Sequence, residues 1–291
     1  MNDIFFSVVV PCYNVEKSIL PTLDSLRAQS FKSFEVILVN DGSVDNTLQI
    51  LESYVLPVSK RVINQQNAGT AAARNAGMKV ARGSYIALLD GDDYWAPEKL
   101  AVVYEYVKQK DIELLCHNEY MVNGKNEITR HNYYGPYSSF EDFLFKGNCV
   151  SPSATVIRKN VFEKSGLFNE DRKLIGVEDY DMWLRMAQAS IQFTYVKDFL
   201  GSYVIHGSNI SKTFKYFKTE ERIIVLYAVG LKKNFKNYWL LRKRFLIFYL
   251  IKLKAALSQG LYSYIPVFMK DSALLFFSGD FFQKRFKKLD A

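Results

Sequence analysis

Residues 5–11, Phe-Phe-Ser-Val-Val-Val-Pro, form a short apolar run rich in β-branched side chains, after which Ile19, Leu20, Leu23 and Leu26 recur at helical intervals. That pairing reads as a strand feeding a helix. Pro21 falls early enough to be tolerated in the helix's first turn. The pattern then repeats. Residues 34–39 form a second apolar run, followed by a Gly42-Ser43 turn and a helix from about Asp45, whose carboxylate can cap it, with Leu48, Leu51 and Val55 facing inward. Residues 61–64 read as a weaker third strand, 70–81 as an Ala-rich helix, 85–89 as a strong fourth strand, and 97–108 as a helix with Pro97 at its first position. Farther on, Met182, Trp183 and Met186 mark a helix over 178–188.

Four successive strand–helix units predict an α/β fold with a mostly parallel sheet flanked by helices. In such open sheets ligands gather beyond the carboxyl ends of the strands. The residues there are Cys12-Tyr13-Asn14, Asn40-Asp41-Gly42-Ser43, Asn67-Ala68-Gly69 and Asp90-Gly91-Asp92-Asp93. Three carboxylates at 90, 92 and 93 repel one another, and a divalent cation with a diphosphate is the usual remedy for such a density of oxygen ligands. The alternative is a solvated turn in which Asp93 caps the next helix.

Composition narrows the class. With 291 residues, 49% hydrophobic and 23% charged, the chain is a folded protein of one large domain with an appendage or of two smaller ones. Cys12, Cys116 and Cys149 are too few and too widely spaced for a disulfide framework or a zinc ribbon. The opening Met-Asn-Asp-Ile-Phe-Phe lacks the basic start of an export signal, and residues 255–269 are too short and too polar to cross a bilayer. A cytoplasmic location is expected.

The net charge of +8 is unevenly placed. Residues 1–211 sum to −4, whereas 212–291 hold 17 basic against 5 acidic residues together with 18 aromatics, so a boundary is expected near Ser211. Arg242-Lys243-Arg244 precedes an apolar run that ends in Lys252 and Lys254, and Phe276, Phe277, Phe281 and Phe282 precede Lys284-Arg285 and Lys287-Lys288. Helices of this composition suit an anionic membrane surface. Packing on the catalytic part or on a second subunit, as in a homodimer, is the other reading. No nucleic-acid-binding module is present to match the basic residues, so nucleic acid is not an expected partner.

Five motifs in order, Ser7-Val-Val-Val-Pro-Cys-Tyr-Asn14, Val39-Asn-Asp-Gly-Ser43, Asn67-Ala-Gly with Ala73-Arg-Asn-Ala-Gly77, Leu89-Asp-Gly-Asp-Asp93 and Glu178-Asp179, resemble the signature of family 2 glycosyltransferases. The resemblance spans about residues 4–211. It implies a GT-A fold, that is, a Rossmann-like open twisted sheet, with a catalytic domain at 1–211 and a helical basic region at 212–291 outside it. Within the catalytic domain, 1–110 would bind the nucleotide and 111–211 the acceptor.

The resemblance also implies roles for single residues. Pro11, Tyr13 and Asp41 would hold the base: a uracil ring offers an N–H to a carboxylate and a face to an aromatic ring. Without the resemblance, Asp41 reads equally as a turn residue. Asn14, Asn67 and Gly91 belong to the same donor-binding motifs, and Arg74 would reach the base or the phosphates. Asp90 would approach the ribose, or the metal through water. Asp92 would ligate Mn²⁺ or Mg²⁺, with His206 in Tyr203-Val-Ile-His completing the site; Val204 stands where relatives often carry Arg. Asp179 would be the general base, with Glu178 orienting the acceptor or a neighbour, although acids at a helix start also favour the positive end of its dipole. His117 and His131 read as ordinary histidines.

The activity so implied is inverting, metal-dependent transfer of a sugar from a nucleotide diphosphate sugar, expected to be a UDP-sugar, to a hydroxyl of a glycan. A lipid-linked acceptor in envelope or extracellular polysaccharide synthesis, on the inner face of the plasma membrane, would account for the basic tail. The alternative is a non-catalytic nucleotide-sugar-binding or scaffold protein of the same fold. Acceptor choice is expected to lie in residues 114–176, where Tyr133-Tyr134-Gly135-Pro136-Tyr137 reads as a recognition loop or as packing residues.

Overall fold

The structure is a computed structural model describing residues 4–206, 214–229, 231 and 235–258. The four expected units are present as β1 (Phe6–Cys12), α1 (Ile19–Arg27), β2 (Phe34–Asp41), α2 (Thr47–Ser53), β3 (Ser59–Gln65), α3 (Thr70–Val80), β4 (Tyr85–Leu88) and α4 (Lys99–Gln109). β1 pairs in parallel with β2 and β4, and β2 with β3. The remaining strands are β5 (Tyr94–Trp95), β6 (Leu114–Asn123), β7 (Ile128–Asn132), β8 (Thr155–Arg158) and β9 (Phe193–Ile205). They extend the sheet in the order β3-β2-β1-β4-β8-β6-β9-β5, with β7 beside β6. β8, β5 and β7 run antiparallel to their neighbours, so the sheet is mixed but mostly parallel.

Strand alternation splits the core into two layers. Val8 and Val10 of β1 and Val36 and Leu38 of β2 face one side with Leu23 and Leu26 of α1 and Val103 of α4. Val9, Ile37 and Val39 face the other side, with Ala71 and Ala73 of α3. Because successive side chains on a strand point to opposite faces, an unbroken apolar run is what a doubly covered sheet requires. Helix α3 packs tightly on β1 at Gly77, where a β-carbon would lie 2.5 Å from Val9 Cγ1.

Two local expectations are corrected. Helix α2 stops at Ser53 and the chain is extended at Tyr54, which leaves Val55 80% exposed rather than inward. Pro97 precedes α4 by two residues, because a turn through Ala96 and Lys99 intervenes before the helix starts. The N-cap of α2 is Asn46, which makes no side-chain cap bond; Asp45, one residue earlier, accepts the Thr47 N–H at 3.0 Å. All three cysteines are free thiols.

Among the described residues five more helices cover the second layer: α5 (Phe140–Lys146), α6 (Val161–Ser165), α7 (Glu178–Gln188), α8 (Phe214–Val229) and α9 (Phe235–Ser258). Ile223, Ile224 and Val225 of α8 and Leu241, Phe245, Phe248 and Tyr249 of α9 are buried in the same cluster as Phe143 of α5 and Trp183 of α7. Two acids of α8 neutralise the inward charges of α9. Glu220 pairs with Arg244 at 2.7 Å, and Glu221 accepts from Lys252 at 3.1 Å and from the Tyr249 hydroxyl at 2.9 Å. The inner faces of these helices thus pack on the catalytic part; Phe276 to Lys288 of the basic tail lie outside the described residues.

That packing carries a prediction. Burying seven such side chains at about 1.5–3 kcal/mol each is comparable to the roughly 5–15 kcal/mol net stability of a whole domain. A chain ending near Ser211 is therefore expected to aggregate, or to melt far below the full-length protein. A truncated protein with the full-length thermal midpoint would show instead that the catalytic part folds independently.

Candidate active site

The carboxyl ends of β1, β2 and β4 meet at one edge of the sheet, where the motif residues assemble. Asn14 takes the left-handed conformation (φ 51°), which Asn tolerates better than most residues. Its N–H donates to Ser43 Oγ at 3.0 Å and its Oδ1 accepts from the Val44 N–H at 2.9 Å, so it joins the loops after β1 and β2. Tyr13 beside it is half-exposed and Pro11 partly buried. The buried Asp41 carboxylate accepts from Gln65 Nε2 (2.7 Å) and from the N–H groups of Ala68 (2.9 Å) and Gly69 (2.8 Å), holding the loop that leads into α3. A carboxylate has about four acceptor positions, so one remains on Oδ2. Gly42 sits at φ +71°, and a β-carbon there would lie 2.7 Å from the Asn67 nitrogen. Asn67 Nδ2 donates to the Asp41 carbonyl, and Arg172 reaches the Asn67 carbonyl at 2.6 Å.

Arg74 sits at the centre of the charged groups. Its buried guanidinium donates to Asp90 Oδ1 at 2.6 Å and to Glu178 Oε1 at 3.0 Å, leaving the buried Nε–H without an acceptor among the described residues. Burial works against the Arg74 charge, but Asp90 and Glu178 outweigh it and hold the group firmly protonated. Asp90 is pushed upward by burial and by Asp92 and Glu178, against the pull of Arg74. Glu178 also accepts the Gly176 N–H at 2.7 Å, so the first turn of α7 is fixed to α3 and to the loop after β4.

Asp93 has a role that spacing did not reveal. It does not cap α4. Buried, it accepts from Ser153 Oγ at 2.6 Å and from the Val204 N–H at 3.0 Å. Burial, with Asp92, Glu119 and Asp90 close by, pushes its carboxyl well above the usual range. Its bond to Val204 ties the end of β9 to the acidic loop and brings His206 Nε2 within 2.7 Å of Asp92 Oδ2. The backbone of Val204 does this, so the missing Arg side chain is immaterial to it. Ser153, in a tight turn at Pro152–Ala154, also accepts the Asp90 N–H at 3.1 Å, and its carbonyl takes Trp95 Nε1 and Lys99 Nζ.

Asp92 and His206 suit a divalent cation. Ligands at 2.0–2.1 Å on adjacent octahedral corners lie about 2.9 Å apart, close to the observed separation, and a cation such as Mg²⁺ keeps its other positions for water and phosphate oxygens. Among the described residues no larger His, Cys, Asp or Glu cluster of metal-binding type is present. Asp179 lies at the N-terminus of α7. Its Oδ1 accepts the Tyr180 N–H at 2.7 Å, and its Oδ2 has a longer bond, 3.3 Å, from Asn148 Nδ2. Burial and the adjacent Glu178 push the Asp179 carboxyl up to about 7.

Asn148 and Ser153 were missed by sequence reasoning, because both lie in a stretch without local periodicity. Of the other histidines, His117 is buried with Nδ1 2.8 Å from the Asn118 carbonyl, and His131 is exposed on β7. In the expected recognition loop, Tyr134 packs inward and donates to Glu119 at 2.7 Å, whereas Tyr133 is 73% exposed.

Known proteins resemble this chain in sequence and in fold. A glucosyltransferase of Escherichia coli, WfaP, named for transfer from UDP-Glc to α-D-GlcNAc-diphosphoundecaprenol, is 27% identical over 234 residues, covering 78% of this chain and 88% of that one. Among solved structures, S. aureus TarS with UDP-GlcNAc has a TM-score of 0.66 at 23% identity, covering 82% of this chain and 71% of that one. The mannosyltransferase PcManGT of Pyrobaculum calidifontis, with GDP-Man and Mn²⁺, has a TM-score of 0.59 at 16% identity, covering 98% and 84%. These structures share the GT-A fold with this chain. The model of glycosyl transferase family 2 matches residues 7–166, more than half of the sequence, and the chain belongs to that family of glycosyltransferases.

Proposed function

We propose that this enzyme transfers a sugar with inversion from a UDP-sugar to a hydroxyl of a lipid-linked glycan, during polysaccharide assembly at the inner face of the membrane. The observation that carries the reading is the placement of Asp179, a carboxyl held near neutrality, on the helix that Arg74 fastens to the acidic loop. The UDP-sugar and the lipid-linked acceptor are supported by what WfaP is named for and by the UDP-GlcNAc bound in TarS. The metal is supported by the Mn²⁺ in PcManGT and by the fit of Asp92 and His206.

In this mechanism Tyr13 covers the base, and Asp41 Oδ2 accepts a base N–H with its remaining lone pair. Asp90, held by Arg74, faces the ribose. Asp179 Oδ2 takes the proton of the acceptor hydroxyl as that oxygen bonds to the anomeric carbon, and the bond from that carbon to the diphosphate oxygen breaks on the opposite face. A divalent cation at Asp92 and His206 would supply charge neutralisation to the departing diphosphate.

Asp92→Asn is expected to abolish transfer and to leave UDP binding insensitive to Mn²⁺, since a carboxamide lacks the ligand's charge. Thermal shift with UDP and UDP-sugars, with and without Mn²⁺, reads the binding part, because a ligand that binds only the folded state raises its apparent stability. Full transfer activity in excess chelator would exclude the metal.

A further inference from the structure

Helix α9 has a second face that the packing described above leaves uncovered. Trp239 (54% exposed), Ile247 (42%), Leu250 (56%), Ile251 (51%) and Leu257 (50%) lie on it, with exposed Lys243 and Lys254 between them. Positions 239, 243, 247, 250, 251, 254 and 257 follow helical spacing, so they form one stripe of roughly 27 Å at 1.5 Å per residue. The helix contains no acidic residue from end to end. The Lys243 ammonium lies 5.6 Å from the Trp239 ring centroid. Buried Phe245, Phe248 and Tyr249 occupy the opposite face, so the exposed apolar side chains are surplus to the core.

We propose that this stripe is the enzyme's membrane-contact surface, seated on an anionic lipid bilayer. The proposal rests on the lipid-linked acceptor reading and adds to it the surface at which that acceptor is met. Apolar side chains at the depth of the headgroups, Trp at the interface and Lys reaching out to phosphates are the features of a helix lying in a bilayer surface. No helix among the described residues is long and apolar enough to cross a membrane, which is consistent with surface seating. Charge selects this occupant over a second copy of the chain. Antiparallel pairing of two copies along the stripe would set Lys243 of each near Lys254 of the other, whereas anionic headgroups neutralise both.

The position of the stripe also suits the chemistry. The Arg244 guanidinium, on the inner face of α9, lies against Gly147, where a β-carbon would be 3.0 Å from it. The next residue, Asn148, donates to Asp179. The outer stripe and the base thus lie on either side of α9, about 10–12 Å across, with the Gly147–Asn148 segment between that helix and Asp179. A sugar carried on a lipid diphosphate can span that distance without leaving the membrane.

The test is flotation of the full-length protein with vesicles of phosphatidylglycerol and phosphatidylethanolamine, beside vesicles of neutral phosphatidylcholine. The wild type is expected to float with the anionic vesicles at low salt and to be partly released at high salt, since exposed charges are screened within about 8 Å at physiological ionic strength. Each Lys near the surface contributes around 1 kcal/mol, so Lys243→Glu with Lys254→Glu is expected to weaken partitioning by more than about 10-fold. Ile247→Ser with Ile251→Ser should remove the salt-resistant part. All four positions are exposed, and an unchanged UDP thermal shift confirms folding. A wild type that stays soluble at low salt, variants that float like the wild type, or variants that change only the oligomeric state would each overturn the proposal. Hydrolysis of the UDP-sugar, which needs no glycan acceptor, is scored separately. Normal hydrolysis without flotation fails the membrane surface alone, whereas flotation without hydrolysis upholds it and fails the catalytic reading.

Discussion

Asp179→Asn is expected to lower turnover by roughly 10²-fold or more while UDP-sugar affinity stays within about two-fold of the wild type. Asparagine keeps the shape and the bond from the Tyr180 N–H but cannot take a proton. The pH profile makes the test specific. Burial and Glu178 push the Asp179 carboxyl up to about 7, above its value in the unfolded chain, so it is protonated and inactive as a base in mild acid. Turnover should therefore rise with pH through about 7, and the residual activity of Asp179→Asn should lack that limb. Stability carries the opposite sign. A carboxyl whose folded pKa is raised favours the folded state while protonated and loses that advantage as pH rises from about 4 to 7. The Asn variant should thus melt higher than the wild type at pH 8, with the difference vanishing near pH 4. Equal losses of donor affinity and turnover would make Asp179 a binding residue instead.

The legible parts of this fold are those where local pattern and tertiary environment agree. Val8, Val9 and Val10 are buried on both faces of the sheet, and an apolar run of that length has few other uses. The helices over Ile19–Arg27 and Glu178–Gln188 begin and end close to where periodicity places them. Strand β6 was not legible, because buried His117 and Glu119 interrupt any apolar alternation, and the Tyr134 hydroxyl that donates to Glu119 comes from outside the strand. The same holds at the site. The motifs identify Asp90, Asp92 and Asp179, yet nothing local shows that Asp93 belongs to the core, where it positions His206 through the backbone of Val204. Composition flagged the C-terminal helices as membrane-seeking or packing elements. For α9 the packing reading holds on one face, where its inner aromatics fill the core, while its outer stripe faces away.

Arg74→Met should be more damaging than loss of the base, because it affects folding as well as chemistry. The methionine fills a similar volume but leaves Asp90 and Glu178 facing each other without the cation that bridges them. Removing one partner of a buried ion pair costs about 3–5 kcal/mol, a large part of the net stability of a domain. The loss should depend on pH with a definite sign. Without Arg74 the Asp90 carboxyl, already raised by burial, loses the cation that favours its charge, so the variant is most stable in acid and weakens as pH rises and Asp90 ionises. Arg74→Lys should recover only part of the stability, since one ammonium cannot reproduce the two-sided donation of a planar guanidinium. Thermal melts of wild type, Arg74→Lys and Arg74→Met between pH 5 and 8 decide the matter. If Arg74 serves only as a donor contact, all three will melt alike without ligand at every pH and differ only when UDP is added.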